Sequence, residues 1–238
     1  MKSRPNPPNS PKKQQEATEE VKVSAGPVTL DGMLGIPGDA KGIVVFAHGS
    51  GSSRFSPRNQ YVAEELRKAK LGTLLFDLLT PEEEEVDMVT GHLRFNINLL
   101  SERVIGATDW LTAYPKTKDL AIGYFGASTG TAAALVAASE RPDVVAAIVS
   151  RGGRPDLAGK SLPQVKAPTL LIVGGNDFPV IDMNQDALEE LRTEKKLVIV
   201  PGATHLFEEP GTLEEVSRLT AEWFVRYFEK TGSNHNSS

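Results

Sequence analysis

The chain has 238 residues, no cysteine and a formal net charge of −5. This length suits one α/β domain with a sizeable core. The acidic balance argues against a nucleic-acid surface, and the lack of cysteine excludes both a disulfide framework and a thiol nucleophile.

The two ends of the chain differ in composition from its middle. Residues 1–20 are rich in Pro, Lys, Gln and Glu and lack an apolar stretch, which predicts a disordered leader rather than a secretory signal. Residues 231–238 predict a short polar tail, which leaves residues 21–230 as the folded domain. No apolar run is long enough to span a membrane. We therefore expect a cytoplasmic protein that binds neither nucleic acid nor membrane, and its oligomeric state stays open.

Apolar runs alternate with stretches of helical spacing along the domain. In chain order they predict strands over 21–23, 28–36 and 43–47, a helix over 59–69, a strand over 72–78, a helix over 99–114, a strand over 120–125 followed by an alanine-rich helix, a strand over 144–150, a strand over 168–173, a helix over 182–192, a strand over 197–200 and a helix over 212–228. Residues 81–91 contain four consecutive glutamates and predict a solvated loop or the exposed turn of a short helix. The alternation predicts an α/β fold with a mostly parallel sheet and helices on both faces.

The segment Gly126-Ala127-Ser128-Thr129-Gly130 lies between a predicted buried strand and the alanine-rich helix. A G-x-S-x-G pattern in that context places the serine on a sharp, strained turn with its hydroxyl exposed at the end of the sheet. The bare pattern also fits a glycine-rich turn with a serine at a helix N-terminus. The rest of the chain has to decide between the two.

A serine nucleophile needs a base and an acid that orients the base. His205 follows the last predicted strand, and Asp177 follows the strand before it, so both belong to loops at the edge of the sheet that holds Ser128. Taken alone, Asp177 fits a turn and His205 fits a loop cap. Together, the order Ser128, Asp177, His205 is the order of α/β-hydrolases and predicts a catalytic triad.

The loop after the strand over 43–47 reads His48-Gly49-Ser50-Gly51. Acyl transfer places negative charge on a carbonyl oxygen, which two preset backbone N–H groups stabilise. We predict that these donors are the N–H groups of Ser50 and Thr129, with His48 holding the loop. A phosphate-binding loop is the competing interpretation, but no lysine follows as a P-loop requires.

The G-x-S-x-G segment, residues 171–177 and residues 201–207 resemble the α/β-hydrolase superfamily, and the small layout resembles its dienelactone-hydrolase-like branch. Residues 47–53 and 150–157 also resemble bacterial hydrolase modules found alone or beside a phosphoribosyltransferase domain. The resemblance covers about residues 28–228 and implies a single-domain hydrolase fold. It departs from the dienelactone enzymes in the nucleophile, which is cysteine there and Ser128 here.

Few residues separate the strand over 144–150 from the next strand, which leaves no room for a large cap. Loop arginines at the same edge suggest a site for an anionic substrate, since guanidinium groups bind carboxylate and phosphate. These candidates are Arg54, Arg58, Arg151 and Arg154. The alternative is a set of surface ion pairs, for example with the glutamates at 82–85.

The sequence therefore predicts a serine hydrolase that cleaves small carboxylic esters or lactones through an acyl-enzyme, and that needs no cofactor and no metal. Two alternatives stay open. One is acyl transfer or perhydrolysis on the same scaffold, and the other is a protein that binds a small ligand without turning it over.

Overall fold

The computed structural model describes residues 18–235. The apolar runs become the eight strands of one sheet: β1 (Glu19–Ala25), β2 (Val28–Gly35), β3 (Gly42–Ala47), β4 (Gly72–Phe76), β5 (Ala121–Ala127), β6 (Val145–Arg151), β7 (Thr169–Gly174) and β8 (Lys195–Val200). The helices between and after them are α1 (Pro57–Lys68), α2 (Pro81–Thr90), α3 (Ile97–Ala113), α4 (Thr129–Glu140), α5 (Phe178–Glu190) and α6 (Thr212–His235).

The sheet has the strand order β1-β2-β4-β3-β5-β6-β7-β8. Strand β2 pairs antiparallel with both β1 and β4, while the pairings from β4 to β8 are all parallel. The carboxyl ends of the parallel strands consequently meet at one edge of the sheet, and the loops that follow them lie side by side. Open α/β sheets bind their ligands at this edge.

Both faces of the sheet are covered, which is why the central strands are apolar throughout. On one face α3 and α4 pack through residues such as Val104, Leu111 and Leu135. On the other face α1 and α6 pack through Leu66 and Phe224. The predicted α/β arrangement with helices on both faces is confirmed, and burial on two faces supplies most of the stabilisation of such a fold.

The run of glutamates is helical rather than a loop. Thr80 caps α2 by accepting a hydrogen bond from the backbone N–H of Glu83, and the Glu83 side chain accepts one from the backbone N–H of Thr80. Glu83 also pairs with Arg103 of α3 at 2.6 Å. The spacing of Thr80 and Glu83 is the sequence signal for this capping box, and acidic residues in a first turn suit the helix dipole.

The boundaries at the two ends differ from the predicted ones. Glu19 and Glu20 of the predicted leader belong to β1 and pair with Leu34 and Met33 of β2, while residues 1–17 lie outside the described residues. Helix α6 continues through His235, so residues 231–235 of the predicted polar tail are helical. Within residues 18–235, no helix has both the length and the apolar character that crossing a bilayer demands.

The connections that frame the sheet edge are short. Residues 152–168 join β6 to β7 and contain a 3₁₀ segment, Pro155–Gln164, so no cap domain is inserted there. Strands β1 and β8 form the two borders of the sheet. Each border strand starts with exposed charged residues, Glu19 and Glu20 on β1 and Lys195 and Lys196 on β8.

Candidate active site

Ser128 occupies the turn between β5 and α4 with φ 49° and ψ −125°. A non-glycine residue with this backbone is strained, at a cost of about 1–3 kcal/mol, and persists only where its surroundings impose it. Close packing imposes it here, because a Cβ added to Gly130 would lie 2.1 Å from the carbonyl oxygen of Ala47. The first turn of α4 therefore sits directly against the end of β3, as a G-x-S-x-G turn between a strand and a helix requires.

The backbone of Ser128 is tied to the end of β6. Its N–H donates to the carbonyl oxygen of Arg151 at 3.3 Å, and its carbonyl oxygen accepts from the N–H of Arg154 at 3.0 Å. Its hydroxyl makes no hydrogen bond to any of the residues that the structure describes. The hydroxyl is therefore not engaged in capping α4.

Asp177 and His205 are in direct contact. The Nδ1–H of His205 donates to Oδ2 of Asp177 at 2.6 Å. The loops that carry them approach closely because β7 ends in glycine, since a Cβ on Gly174 would lie 2.5 Å from the carbonyl oxygen of Ala203. This bond fixes the imidazole with its other nitrogen, Nε2, available to accept a proton.

The segment Arg151–Gly152 lies between the serine and the histidine. A Cβ on Gly152, which has φ +51°, would lie 3.5 Å from Cε1 of His205, and the carbonyl oxygen of Arg151 holds the N–H of Ser128. The structure thus brings Asp177 to His205 directly and brings Ser128 to the same strand end. No hydrogen bond joins Ser128 to His205 among the described residues.

The predicted oxyanion loop lies against the turn at Ser128. A Cβ on Gly49 would be 3.1 Å from Cβ of Ser128. Thr129 is the first residue of α4, where helix geometry leaves the N–H groups without a carbonyl partner. Ser50 is exposed in the loop that follows β3, and its N–H has no partner in the described part of the chain.

His48 anchors this loop. Its Nδ1–H donates to the carbonyl oxygen of Gly49 at 2.9 Å, and its Nε2 accepts from the N–H of Leu78 at 3.1 Å. Burial lowers the pKa of His48, so the ring is neutral with one nitrogen donating and the other accepting. A neutral, fully bonded imidazole positions the loop and is not available for proton transfer.

The arginines at this edge have different partners. Arg54 forms an ion pair with Asp77, and Arg154 pairs with Asp156 at 2.7 Å. Both are ion pairs, as the alternative interpretation of these arginines predicted. The partners are aspartates, however, and not the glutamates at 82–85. Arg151, in contrast, makes no ion pair and no side-chain hydrogen bond with the described residues.

A shallow pocket lies beside the predicted oxyanion loop, with apolar walls from Leu78, Leu79 and Leu100. The pair Asp87–Arg94 lines it as well: buried Asp87 accepts from the N–H of Leu93 at 2.7 Å and from Arg94. Sequence reasoning missed this pair, because residues seven apart across a helix end carry no periodic signal. It joins α2 to the short 3₁₀ turn Leu93–Phe95 that precedes α3, and so shapes the pocket wall.

A model of the dienelactone hydrolase family matches residues 30–229. Two curated proteins of Mycobacterium tuberculosis, each described as a putative phosphoribosyl transferase, are 58% identical over 207 residues, which are 87% of this chain and 46% of theirs. The chain thus spans less than half the length of these relatives.

Solved structures share the fold. The crystal structure of a dienelactone hydrolase from Anabaena variabilis is 65% identical, with a TM-score of 0.89 over 90% of this chain and 99% of that one. A Pyrococcus furiosus esterase is 20% identical, with a TM-score of 0.72 over 95% and 97% of the two chains. A serine hydrolase without a lid from Xanthomonas campestris is 18% identical, with a TM-score of 0.70 over 93% and 98%. The last two likenesses bear on the fold alone.

Proposed function

The chain belongs to the dienelactone hydrolase family, and from that premise we propose that it cleaves small carboxylic esters or lactones through an acyl-enzyme intermediate on Ser128. The observation that carries the proposal is the hydrogen bond of 2.6 Å between His205 and Asp177, beside a strained serine turn. A carboxylate that orients an imidazole next to an unbonded serine hydroxyl is the arrangement that activates a serine.

Each group has a distinct task in the proposed reaction. Nε2 of His205 takes the proton of Ser128 as the hydroxyl oxygen attacks the acyl carbon, and it then gives that proton to the leaving alcohol. Asp177 keeps the ring in the required tautomer and stabilises its charged form. The N–H groups of Ser50 and Thr129 stabilise the oxyanion. Water, activated by His205, then releases the acid and restores Ser128.

The surroundings of the site favour small substrates with an apolar part. The pocket beside the predicted oxyanion loop has apolar walls from Leu78, Leu79 and Leu100, and the short β6–β7 connection leaves the site open. Phe178, next to Asp177, is 68% exposed, and Leu206, next to His205, is also exposed. Exposed apolar side chains at a site mouth suit apolar acyl or alcohol groups.

The proposal is tested with p-nitrophenyl esters and lactones of graded chain length. We expect Ser128→Ala to lower kcat by a factor on the order of 10⁴ or more and to abolish fluorophosphonate labelling. Ser139→Ala, on the same helix but bonded to the carbonyl of Val136, is the matched control and should keep both. Full turnover by Ser128→Ala would place the nucleophile elsewhere.

Product analysis distinguishes hydrolysis from acyl transfer. With methanol or hydrogen peroxide present as a competing acceptor, we expect the free acid to remain the main product. A predominant methyl ester or peracid would reassign the protein to acyl transfer or perhydrolysis on the same residues.

A further inference from the structure

Arg151 is a buried cation without a counter-charge. It is the last residue of β6, its side chain is 8% exposed, and its guanidinium carbon lies 6.0 Å from the ring centroid of Phe125 on the face that α1 and α6 cover. Within residues 18–235 no carboxylate and no hydrogen-bond acceptor binds it, and Nη1 is fully buried without a partner.

Arg58 of α1 brings a second guanidinium towards the same place. Its Nε is likewise buried without a partner among residues 18–235, and its ion pair with Glu208 is long, 3.4 Å, with the Glu208 side chain 64% exposed. Burial, with a further contribution from the nearby charge of Arg58, lowers the pKa of Arg151 to about 10. Arg58 is thus near enough for its charge to act on Arg151, and each side chain has one buried N–H donor without a partner among the described residues.

This arrangement is costly unless an anion completes it. Removing an unpaired charge from water costs several kcal/mol, whereas a contact with an aromatic ring returns about 0.5–2 kcal/mol. The neighbouring loop arginines, Arg54 and Arg154, avoid the cost by binding carboxylates of the chain. For Arg151 the described residues supply no such carboxylate.

We propose that Arg151 and Arg58 form a binding site for a small oxyanion, a carboxylate or a phosphate group. Guanidinium groups bind such anions through charge-assisted, often bidentate, hydrogen bonds. The site is distinct from the oxyanion hole, and the inference does not depend on the proposed hydrolysis. It adjoins that machinery, however, because the backbone of Arg151 holds Ser128 and the following Gly152 contacts His205.

The first experiment measures binding of a free anion. The melting temperature is followed as potassium phosphate replaces potassium chloride at constant ionic strength. We expect a saturable rise of about 5 °C or more once phosphate reaches 100 times its Kd. Arg151→Met should abolish the rise. The matched control, Arg141→Met, removes an arginine that pairs with Asp109 at 2.9 Å and should keep it.

Two further variants serve as controls, one for misfolding of Arg151→Met and one for acylation of Ser128. Arg58→Met should weaken the phosphate effect as well, and it supplies the test if Arg151→Met does not fold. The rise should also persist in Ser128→Ala, which cannot form an acyl-enzyme. The melting temperature therefore tests the anion site, and ester turnover separately tests the proposed hydrolase function.

The second experiment identifies the source of the anion. If the substrate carries it, kcat/KM for p-nitrophenyl hydrogen succinate should exceed that for p-nitrophenyl butyrate by about 10-fold, and Arg151→Met should remove the preference while Arg141→Met keeps it. A ratio near one together with the phosphate effect would assign the site to a free anion. If phosphate stabilises no more than chloride and the charged ester is not preferred, water alone serves these donors and the proposal is overturned.

Discussion

The carboxylate of Asp177 decides which nitrogen of His205 carries the proton. An amide in its place can hydrogen-bond either ring tautomer and cannot stabilise the charged ring, so we expect Asp177→Asn to lower kcat by a factor on the order of 10⁴ with a much smaller change in KM. Asp186→Asn, on the exposed side of the helix that follows, is the control and should stay within a few-fold of the wild type. Equal activity of the two variants would separate Asp177 from the reaction.

The burial of His48, which anchors the predicted oxyanion loop, makes the stability of the fold depend on pH. Burial lowers its pKa below the unfolded value near 6.5, so the folded protein resists protonation there. As pH falls below that value the unfolded chain binds a proton that the folded chain does not, and stability falls by up to about 1.4 kcal/mol per pH unit until the folded pKa is reached. Above the unfolded pKa this contribution is fully present.

Urea unfolding of the wild type and of His48→Gln between pH 5 and 8 checks this. The variant should be less stable throughout, and its stability should fall less steeply below pH 6.5. His92→Gln, which changes an exposed histidine, should keep the wild-type slope. Parallel curves for the wild type and His48→Gln would show that His48 titrates normally in the folded state.

Among elements, the contact of α4 with β3 governs the geometry of the site. An alanine methyl at Gly130 would meet the carbonyl oxygens of Ala47 and His48 at 2.1 and 2.4 Å, and backbone atoms in a central strand cannot move aside. We expect Gly130→Ala to destabilise the fold by about 3 kcal/mol or more and to displace the Thr129 N–H from the oxyanion loop.

Gly38→Ala is the matched control for that substitution. A Cβ at Gly38 meets nothing within 4 Å, and its φ lies outside the positive range. Its stability should equal or slightly exceed that of the wild type, because alanine restricts the unfolded chain. Equal urea midpoints for Gly130→Ala and Gly38→Ala would contradict the close approach of α4 to β3.

Local sequence signals account for most of the strands and helices but not for the tertiary contacts that individual side chains make. Apolar runs predicted the strands because burial on two faces demands them, and the loop positions of Asp177 and His205 followed from the strand order. The helix α2 carried a capping-box signal that the glutamate run obscured. The unpaired state of Arg151 had no local signal, because it depends on how α6 packs over β6.

At the scale of the whole molecule, the topology explains why so little of the chain forms the site. The loops after the parallel strands β3 to β8 meet at the carboxyl edge, and five of them, those after β3, β5, β6, β7 and β8, carry the candidate site groups. This much was predictable from a parallel α/β pattern. The exact register between strands was not, since two-sided apolar strands carry no alternation that would fix it.

The charged borders of the sheet bear on how copies of the protein behave beside one another. A sheet border with open backbone groups invites a second sheet to add to it and aggregate, and lysines discourage this by repulsion and hydration. Replacing both Lys195 and Lys196 by Val should therefore cause concentration-dependent association, seen by light scattering, whereas Val at the exposed Lys160 and Lys166 should not. The first two residues of β8 would then keep the protein soluble, independently of the candidate site at the carboxyl ends of the strands.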